Sequence, residues 1–437
     1  MAWFTRDVTR TLLAQAPVLA LGLAASVLTA RVMGPTDRGI YALCFMVANT
    51  AVFFGSLELG QSVVYHIGRR GLEPARALGA ALGLLALLAL AAFAALRVAE
   101  PLLLRFFDAF TPEILRLVAL MAPLMLGNAI VIQFFRALDR IDFFNVCRIL
   151  APAIRLVALS IAFALGGGML EALQAVAVAE AALLPLQLFL LLRLVRPRLG
   201  GRAAARSLVR FGAQLEGSSA IEQVDYRVAG FAVALFCAAA DVGYYAIADG
   251  MVTYLLTLPI LVGNVLAPKI ARMPDAEAAG MAAATCRSTL FVTAGLGVSL
   301  ALLSHPLVSL LYGAEFLPSA LLVVALAPVA VARSGVRILG HYVVVSNRVR
   351  LLAIVNAVTL LVHASLIFSL VPGLGAIGAA FAVSTGYVLQ LALVALVFRR
   401  LSGLPLRDVL LVQGQDLQRM LRAVGDGLEL SRISRRG

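Results

Sequence analysis

The sequence predicts an all-α, polytopic membrane protein with about twelve transmembrane helices in two six-helix bundles that are related by a parallel internal repeat. The first observation is composition: 62% of the 437 residues are hydrophobic, 14% are charged, and the mean hydropathy is +0.98. Water-soluble domains are about half apolar and a quarter charged, so the bilayer must solvate much of this chain. The second observation is a series of apolar segments, and the third is a repeat between the two halves.

The apolar segments are long enough to cross a bilayer. A transmembrane helix needs about 20 largely apolar residues to span roughly 30 Å of hydrocarbon. The start of the first segment resembles a signal peptide, but the many later spans favour a retained helix. Twelve segments meet the length requirement: 11–33, 40–66, 77–97, 114–135, 146–166, 170–194, 211–236, 242–267, 288–311, 319–345, 351–371 and 374–398.

The distribution of basic residues predicts the orientation of these spans. Most of the 36 Lys and Arg residues lie in segments that are cytoplasmic if the N-terminus is cytoplasmic. This asymmetry is the positive-inside pattern, and it predicts that both termini are cytoplasmic. The net charge of +13 is therefore mainly a topology signal. Because the arginines form short clusters in inner loops, the sequence predicts no nucleic-acid partner.

The two halves of the chain repeat each other. Residues 37–42 (DRGIYA) match 241–246 (DVGYYA), and residues 59–69 match 262–272 at the other end of the same helix. An even number of spans in each half keeps such repeats parallel, as in transporters whose halves are related by an axis along the membrane normal. The predicted organisation is an N-terminal bundle (1–195), a cytoplasmic Arg-rich linker (196–210), a C-terminal bundle (211–400) and a cytoplasmic amphipathic basic tail (401–437).

The seventh predicted span carries charges that cannot face lipid. Glu222, Asp225 and Arg227 would each cost about 2.5–3.5 kcal/mol at the centre of a membrane helix, and its larger apolar residues return only about 3–5 kcal/mol in total. At 100° per residue, Glu216 and Gln223 share one face with Arg227, whereas Glu222 and Asp225 lie on the nearly opposite face. This helix must therefore border water or polar partners.

Two arrangements would accommodate a helix that is polar on two faces. Either one face packs on a neighbour through a buried ion pair, or the sequence Gly217-Ser218-Ser219 breaks the helix and redirects it. We expect the face with Glu222 and Asp225 to couple ions. On the opposite face, we expect some residues to pack against a neighbouring helix and others to contact substrate.

The tenth predicted span provides a basic stripe. Arg333, Arg337 and His341 are spaced four apart and so share a helix face, and Arg148 and Arg155 in the fifth span are seven apart. Guanidinium groups bind phosphate or pyrophosphate in bidentate fashion. The alternative is that Arg148 and Arg337 extend along the helix to reach the inner headgroups.

Further acidic residues lie inside predicted spans: Glu58, Glu180 and Asp249. A carboxylate in a partly dry cavity suits proton or sodium coupling. Asp249 is favoured over Glu180 because it lies one helix from Asp225. The four cysteines have no metal-ligand spacing, and HExxH, P-loop, GxSxG and CxxC motifs are absent from the sequence. The sequence therefore predicts no metal, no catalytic residue and no cofactor apart from a coupling H⁺ or Na⁺.

Four blocks of the sequence resemble one family. They are SVLTARVMGPTDRGIYAL (26–43), VDYRVAGFAVALFCAAADVGYYAIADGM (224–251), LLYGAEFLPSALLVVALAP (310–328) and GLGAIGAAFAVSTGY (373–387). Their order and spacing resemble the oligosaccharide (Wzx-type) flippases, which belong to the multidrug/oligosaccharidyl-lipid/polysaccharide exporter superfamily. The resemblance extends to about residue 405. Asp225 and Arg227 lie at an acidic-basic pair of the family pattern, although Tyr226 separates them, and Asp249 departs from a position that is more often basic.

The resemblance implies a multi-pass protein of the bacterial cytoplasmic membrane, which we expect to be a monomer. It would move an undecaprenyl-pyrophosphate-linked oligosaccharide, a precursor of a polysaccharide or O-antigen, from the inner to the outer leaflet by alternating access. Its partners would be this lipid-linked substrate, membrane lipids and other polysaccharide-assembly proteins. The candidate substrate-binding residues are Arg155, Arg333, Arg337, Arg227 and Gln223, and the candidate ion-coupling residues are Asp225, Glu222, Asp249 and Glu58.

Four other functions are compatible with the sequence. One is that of the lipid II flippase branch of the same superfamily, although only twelve helices are predicted, with an amphipathic tail where further spans would lie. A multidrug/cation antiporter would share the fold but would favour an acidic, aromatic cavity over a basic stripe. A membrane enzyme that polymerises lipid-linked sugars would need a large outer loop, and the longest predicted outer loop, 98–113, is short. An inactive, flippase-like scaffold would recruit partners through its cytoplasmic face.

Overall fold

The computed structural model describes residues 2–198 and 200–414, and this part of the chain consists of helices joined by turns, without a strand. The helices are α1 (Ala2–Ser56), α2 (Leu59–Arg70), α3 (Pro74–Phe106), α4 (Pro112–Ala137), α5 (Ile141–Ala164), α6 (Met169–Leu194), α7 (Gly201–Phe236), α8 (Ala239–Leu255), α9 (Thr257–Ile270), α10 (Asp275–Leu302), α11 (Ser304–Tyr312), a 3₁₀ turn (Ala314–Phe316), α12 (Pro318–Val345), α13 (Val349–Ser402) and α14 (Leu406–Leu410).

Two of these helices are each broken near their middle. α1 has 55 residues and α13 has 54. At about 1.5 Å per residue each would extend to roughly 80 Å, more than twice the hydrocarbon thickness. The backbone leaves helical geometry at Gly34 (φ 69°) and Gly375 (φ 60°). Gly34 falls between the predicted spans 11–33 and 40–66, and Gly375 is the second residue of the predicted span 374–398. Each of these helices therefore accounts for two crossings.

Nine helical stretches in the described residues have the length and hydropathy of a membrane span. Two of them, Gln15–Arg70 and Val349–Ser402, contain the breaks described above. Counting these as two crossings each and adding the more polar α7 gives the twelve predicted helices. Large apolar side chains remain exposed on the outside, for example Leu90 (66%), Val178 (65%) and Leu361 (69%). Such surfaces suit lipid and would be unfavourable in water, so the predicted multi-pass membrane fold is confirmed.

One compact unit comprises Pro17–Gly243. α4 is central in it and packs against α2, α3, α5 and α6, with Leu126, Phe134 and Phe135 almost fully buried. α7 belongs to this unit because its N-terminal part packs on α2 and α3.

The segment predicted as a linker, 196–210, is helical from Gly201. Ala204 and Leu208 lie in the hydrophobic core of the first unit, which explains why an arginine-rich segment forms the start of α7. The residues before it are also held in place. The backbone N–H of Arg198 donates to the carbonyl oxygen of Ala75 at 2.9 Å, and its guanidinium pairs with Glu73 at 3.1 Å.

The other compact unit contains the described residues from Tyr244 onward, together with the N-terminal residues up to Ala16. α12 is central and packs against α9, α10, α11 and α13. α10 begins at Asp275, earlier than the predicted span 288–311, because Pro274 precedes the helix and two acidic residues occupy its first turn. α14 packs on α10 and buries Val409. Most of the predicted amphipathic tail lies outside the described residues, which end at residue 414.

Candidate functional site

In the first unit, the chain breaks between α1 and α2 in a conformation that non-glycine residues rarely adopt. Leu57 and Glu58 both have φ of 45°, and Glu58 is left-handed at the start of α2. The sequence predicted one continuous span over 40–66, so this break was missed. Strained backbone of this kind often lies at functional sites. Broken membrane helices likewise mark the binding sites of transporters.

α7 passes directly against this break. A Cβ atom at Gly212 would lie 2.2 Å from the carbonyl oxygen of Leu57, which is closer than any side chain permits. Glycine at this position therefore allows the two backbones to meet. α7 itself is continuous from Gly201 to Phe236, so the predicted alternative of a break at Gly217-Ser218-Ser219 is wrong. The break lies instead between α1 and α2, in the segment that α7 packs against.

Arg227 of α7 is fixed against α1. Its Nη1 donates to Gln223 Oε1 at 2.9 Å, and its Nη2 donates to the backbone carbonyl of Asn49 at 3.3 Å. The guanidinium carbon also lies 5.6 Å from the centre of the Phe53 ring. Gln223 and Arg227 therefore form one polar contact with α1, as their shared helix face predicts.

The acidic residues of α7 differ in exposure. Glu222 is exposed, whereas Asp225 is buried with 7% of its surface exposed, so these two carboxylates do not share one wet face. Glu216 is also buried, at 6% exposed. Its carboxyl interacts with the backbone N–H of Glu58 at the start of α2. Sequence reasoning placed Glu216 on the correct face but did not select it as a site residue.

Arg155 belongs to a separate polar cluster in the same unit. Its Nη2 pairs with Glu180 Oε1 at 2.5 Å, and Asn128 Nδ2 donates to the other oxygen of Glu180 at 2.8 Å. The guanidinium lies 5.6 Å from the centre of the Phe45 ring. Glu180 was ranked below Asp249 in the sequence analysis, yet it is the buried partner of a predicted substrate-binding arginine. No short sequence spacing reveals this pair, because its members lie on α5 and α6.

The basic stripe of the second unit lies among α9, α12 and α13. Arg333, Arg337 and His341 are all half-buried on α12. A Cβ atom at Gly263 of α9 would lie 2.7 Å from His341 Nε2 and 3.8 Å from Arg337 Cγ, which places α9 directly against the stripe. The guanidinium of Arg333 lies 5.1 Å from the centre of the Tyr387 ring of α13.

The predicted site residues thus fall into separate groups. Glu58, Gln223 and Arg227 lie around the α1–α2 break and α7, and Arg333 and Arg337 share one face of α12. Arg155 lies in its own cluster, and Asp249 is half-buried on α8 in the second unit. The described residues contain no group of three or more His, Cys, Asp or Glu side chains that is suited to a metal ion.

Comparison with solved structures shows that this fold is known. The chain superposes on the lipid II flippase MurJ in an inward closed conformation with a TM-score of 0.72 and 14% identity, over 97% of this chain and 98% of that one. It superposes on an inward-facing multidrug resistance MATE family transporter of the MOP superfamily with a TM-score of 0.70 and 14% identity, covering 89% and 95%. A MOP superfamily transporter from Pyrococcus furiosus gives a TM-score of 0.60 and 13% identity, covering 92% and 95%.

Sequence comparison identifies the family. None of the curated proteins matches the chain by sequence. The profile of a family described as polysaccharide biosynthesis protein matches residues 28–321, which is more than half of the chain. This match confirms the resemblance carried by the sequence blocks, and the solved structures provide the fold. The chain therefore belongs to the polysaccharide biosynthesis protein family and has the fold of MOP superfamily transporters.

Proposed function

We propose that this protein flips an undecaprenyl-pyrophosphate-linked oligosaccharide from the inner to the outer leaflet of the bacterial cytoplasmic membrane by alternating access. The observation that carries this proposal is the half-buried basic stripe of Arg333, Arg337 and His341 on α12. Guanidinium groups match the geometry of pyrophosphate oxygens and bind them in bidentate fashion, so a face that carries two of them suits such a substrate. Membership of a polysaccharide biosynthesis family supports a glycan as the remainder of the substrate.

The proposed roles follow from the chemistry of each group. Arg333 and Arg337 attract the pyrophosphate. Arg155, which is paired with Glu180, is the candidate substrate-binding arginine of the first unit. Gln223 and Arg227 offer hydrogen bonds to sugar hydroxyls next to α1. The isoprenoid chain stays in the lipid, where the exposed apolar surfaces provide no barrier to it.

Coupling to H⁺ or Na⁺ would supply the direction of transport. Asp225, Glu222, Asp249 and Glu58 are the proposed coupling residues, and among these Asp225 is the most buried. A change of charge in a site with little water has a large effect on the relative energies of two conformations.

We further propose that the protein acts as a monomer with both termini in the cytoplasm. Membrane lipids and other polysaccharide-assembly proteins are its proposed partners.

A flipping assay in proteoliposomes tests this function. The substrate is an undecaprenyl-pyrophosphate-linked glycan with a fluorescent label, and the readout is quenching by a reagent that reaches only the outer leaflet. Wild-type protein should accelerate flipping, and Arg333→Ala and Asp225→Asn should slow it. The matched control is Arg350→Ala, which removes an exposed arginine at the start of α13. Wild-type rates for both site variants, or transport of a cationic drug in place of the glycan lipid, would contradict the proposal.

A further inference from the structure

His363 is a polar side chain in the interior of the second unit. Its residue is 1% exposed, and it lies in the first half of α13, before the break at Gly375. Burial of a polar group is unfavourable unless the group is hydrogen-bonded, so a histidine at this depth needs a partner. The partner lies in the second half of the same helix. His363 Nε2 is 3.1 Å from the backbone carbonyl oxygen of Val383, and because a carbonyl oxygen can only accept, Nε2 is the donor.

The imidazole of His363 rests on one face of the second half of α13. Val383, Gly386 and Tyr387 are three and four residues apart, so they share this face. A Cβ atom at Gly386 would lie 1.8 Å from His363 Cδ2, so any larger residue there would displace the imidazole. The imidazole also meets the Tyr387 ring edge-on, with 4.8 Å between the ring centres and 71° between the ring planes. The hydrogen bond and these two contacts together fix the place of the imidazole.

Tyr387 connects His363 to the basic stripe of α12. Tyr387 is 5% exposed, so close packing restricts the orientation of its ring. The guanidinium carbon of Arg333 lies 5.1 Å from the centre of this ring. A cation within about 6 Å of an aromatic ring is attracted to the face of the ring, and a planar guanidinium also stacks on it. The position of the Tyr387 ring therefore affects the position of the Arg333 guanidinium.

We propose that His363 is a positioning residue for the pyrophosphate site of the basic stripe. Its imidazole holds the Tyr387 ring in place, and the ring holds the Arg333 guanidinium in the orientation that a pyrophosphate oxygen pair requires. Bidentate binding depends on the alignment of the two planar groups, and a side chain that is already aligned loses less freedom when substrate binds. This inference rests on the proposed function, since it concerns an arginine that the proposal places on the pyrophosphate.

A second polar contact between the same two halves of α13 provides a matched control. Gln390 Nε2 donates to Asn356 Oδ1 at 3.0 Å, and Gln390 is 7% exposed. Gln390→Leu removes this buried hydrogen bond but leaves the imidazole, the Tyr387 ring and Arg333 unaltered. A general loosening of α13 would therefore appear in both Gln390→Leu and His363→Leu. A loss of positioning would appear only in His363→Leu.

Fluorine NMR of the full-length protein in lipid nanodiscs tests the positioning without any transport measurement. The probe is para-fluorophenylalanine at position 387, which keeps the aromatic ring. Arg333→Ala should shift its resonance, because the cation leaves the ring face. His363→Leu should shift and broaden it, because the ring is no longer held, whereas His363→Gln keeps a donor for the Val383 carbonyl and should change it less. Gln390→Leu should leave the resonance unchanged.

Binding of undecaprenyl pyrophosphate to the same nanodiscs tests the consequence for the site. His363→Leu should weaken binding by about threefold to tenfold, which is part of the loss expected when one charge-assisted contact is removed. The maximum rate of flipping should stay near that of the wild type, with half-saturation at a higher substrate concentration. Gly386→Ala is the second variant, since its methyl group displaces the imidazole, and it should reproduce both changes.

Three results would overturn the proposal: an unchanged resonance in His363→Leu, equal effects of His363→Leu and Gln390→Leu on the resonance and on binding, or a lower maximum rate with unchanged affinity. A failure of the proposed function gives a different result. If the protein binds no pyrophosphate lipid but His363→Leu still moves a resonance that depends on Arg333, the positioning of Arg333 is supported and only the proposed function is contradicted.

Discussion

Gly212 of α7 meets Leu57, at the left-handed break before α2, so closely that a Cβ atom would lie 2.2 Å from the Leu57 carbonyl oxygen. The atom that blocks this space belongs to the backbone, so a side chain at position 212 cannot be accommodated by a rotamer change. The contact therefore holds a strained segment of α1–α2 against a continuous helix. The geometry of Glu58 depends on that contact.

We expect Gly212→Ala to lower the free energy of unfolding by about 1–3 kcal/mol, the usual range for overpacking a close contact. The matched control is Gly217→Ala on the same helix, where a Cβ atom would meet nothing within 4 Å. There the helix propensity of alanine should stabilise the protein by up to about 1 kcal/mol. Thermal unfolding of the two variants in the same detergent measures the difference, and equal stability would contradict the close approach.

The Arg155–Glu180 pair should behave as a partly buried ion pair. Glu180→Gln removes the charge that faces Arg155 and should cost about 1–3 kcal/mol of stability, below the range for fully buried pairs because the Arg155 side chain is 31% exposed. The exposed pair of Arg140 and Asp142 is the control, and Asp142→Asn should change stability little. A double-mutant cycle with Arg155→Met measures the coupling, and a coupling energy near zero would refute the pairing.

The basic stripe should determine the affinity for anionic substrate. Arg337→Ala should reduce flipping of a pyrophosphate-linked glycan lipid about tenfold or more, because each charge-assisted contact contributes about 1.5–3 kcal/mol. Arg333→Lys should recover only part of the wild-type rate, since lysine keeps the charge but loses the planar contact with Tyr387. Initial rates across a substrate titration, with Arg350→Ala alongside, separate binding from turnover. Equal rates for alanine and wild type at position 337 would exclude this role.

Gly263 of α9 packs against the basic stripe of α12, so a substitution at Gly263 tests the stripe from the neighbouring helix. A methyl group at this position meets the end of the His341 side chain at 2.7 Å, so Gly263→Ala should move the imidazole and leave the backbone in place. The expected result is weaker binding of a pyrophosphate lipid, with unfolding temperature nearly unchanged. Gly250→Ala on α8 adds a methyl group into open space and serves as the control. A large loss of stability with unchanged binding would indicate a structural role for this contact instead.

The sequence predicted the membrane spans well because hydropathy and length identify most of the segments that cross the bilayer. The breaks at Gly34 and Gly375 coincide with boundaries between predicted spans, since glycine adopts positive φ without strain. The break at Leu57 and Glu58 was missed because neither residue favours that conformation. α7 packs against this break through Gly212, and no local sequence pattern records such a contact.

The candidate site was predicted only in part, for a related reason. Helical periodicity correctly placed Gln223 and Arg227 on one face and aligned the residues of the α12 stripe. The partner of Arg155 was not identifiable, because pairing between helices depends on how those helices pack and rotate. Glu216 belongs to the same case, since its burial depends on how α7 packs against the α1–α2 break.

The segment between α6 and α7 has a mechanical consequence. Its backbone is hydrogen-bonded to α3 through Arg198 and Ala75, and its carbonyl at Arg198 lies so close to Gly79 that a Cβ atom there would be 1.9 Å away. The contact at Arg198 leaves no room for α3 to slide past the chain at this level. A tilt of α3 in the proposed flipping cycle would therefore carry Arg198 with it, close to the start of α7.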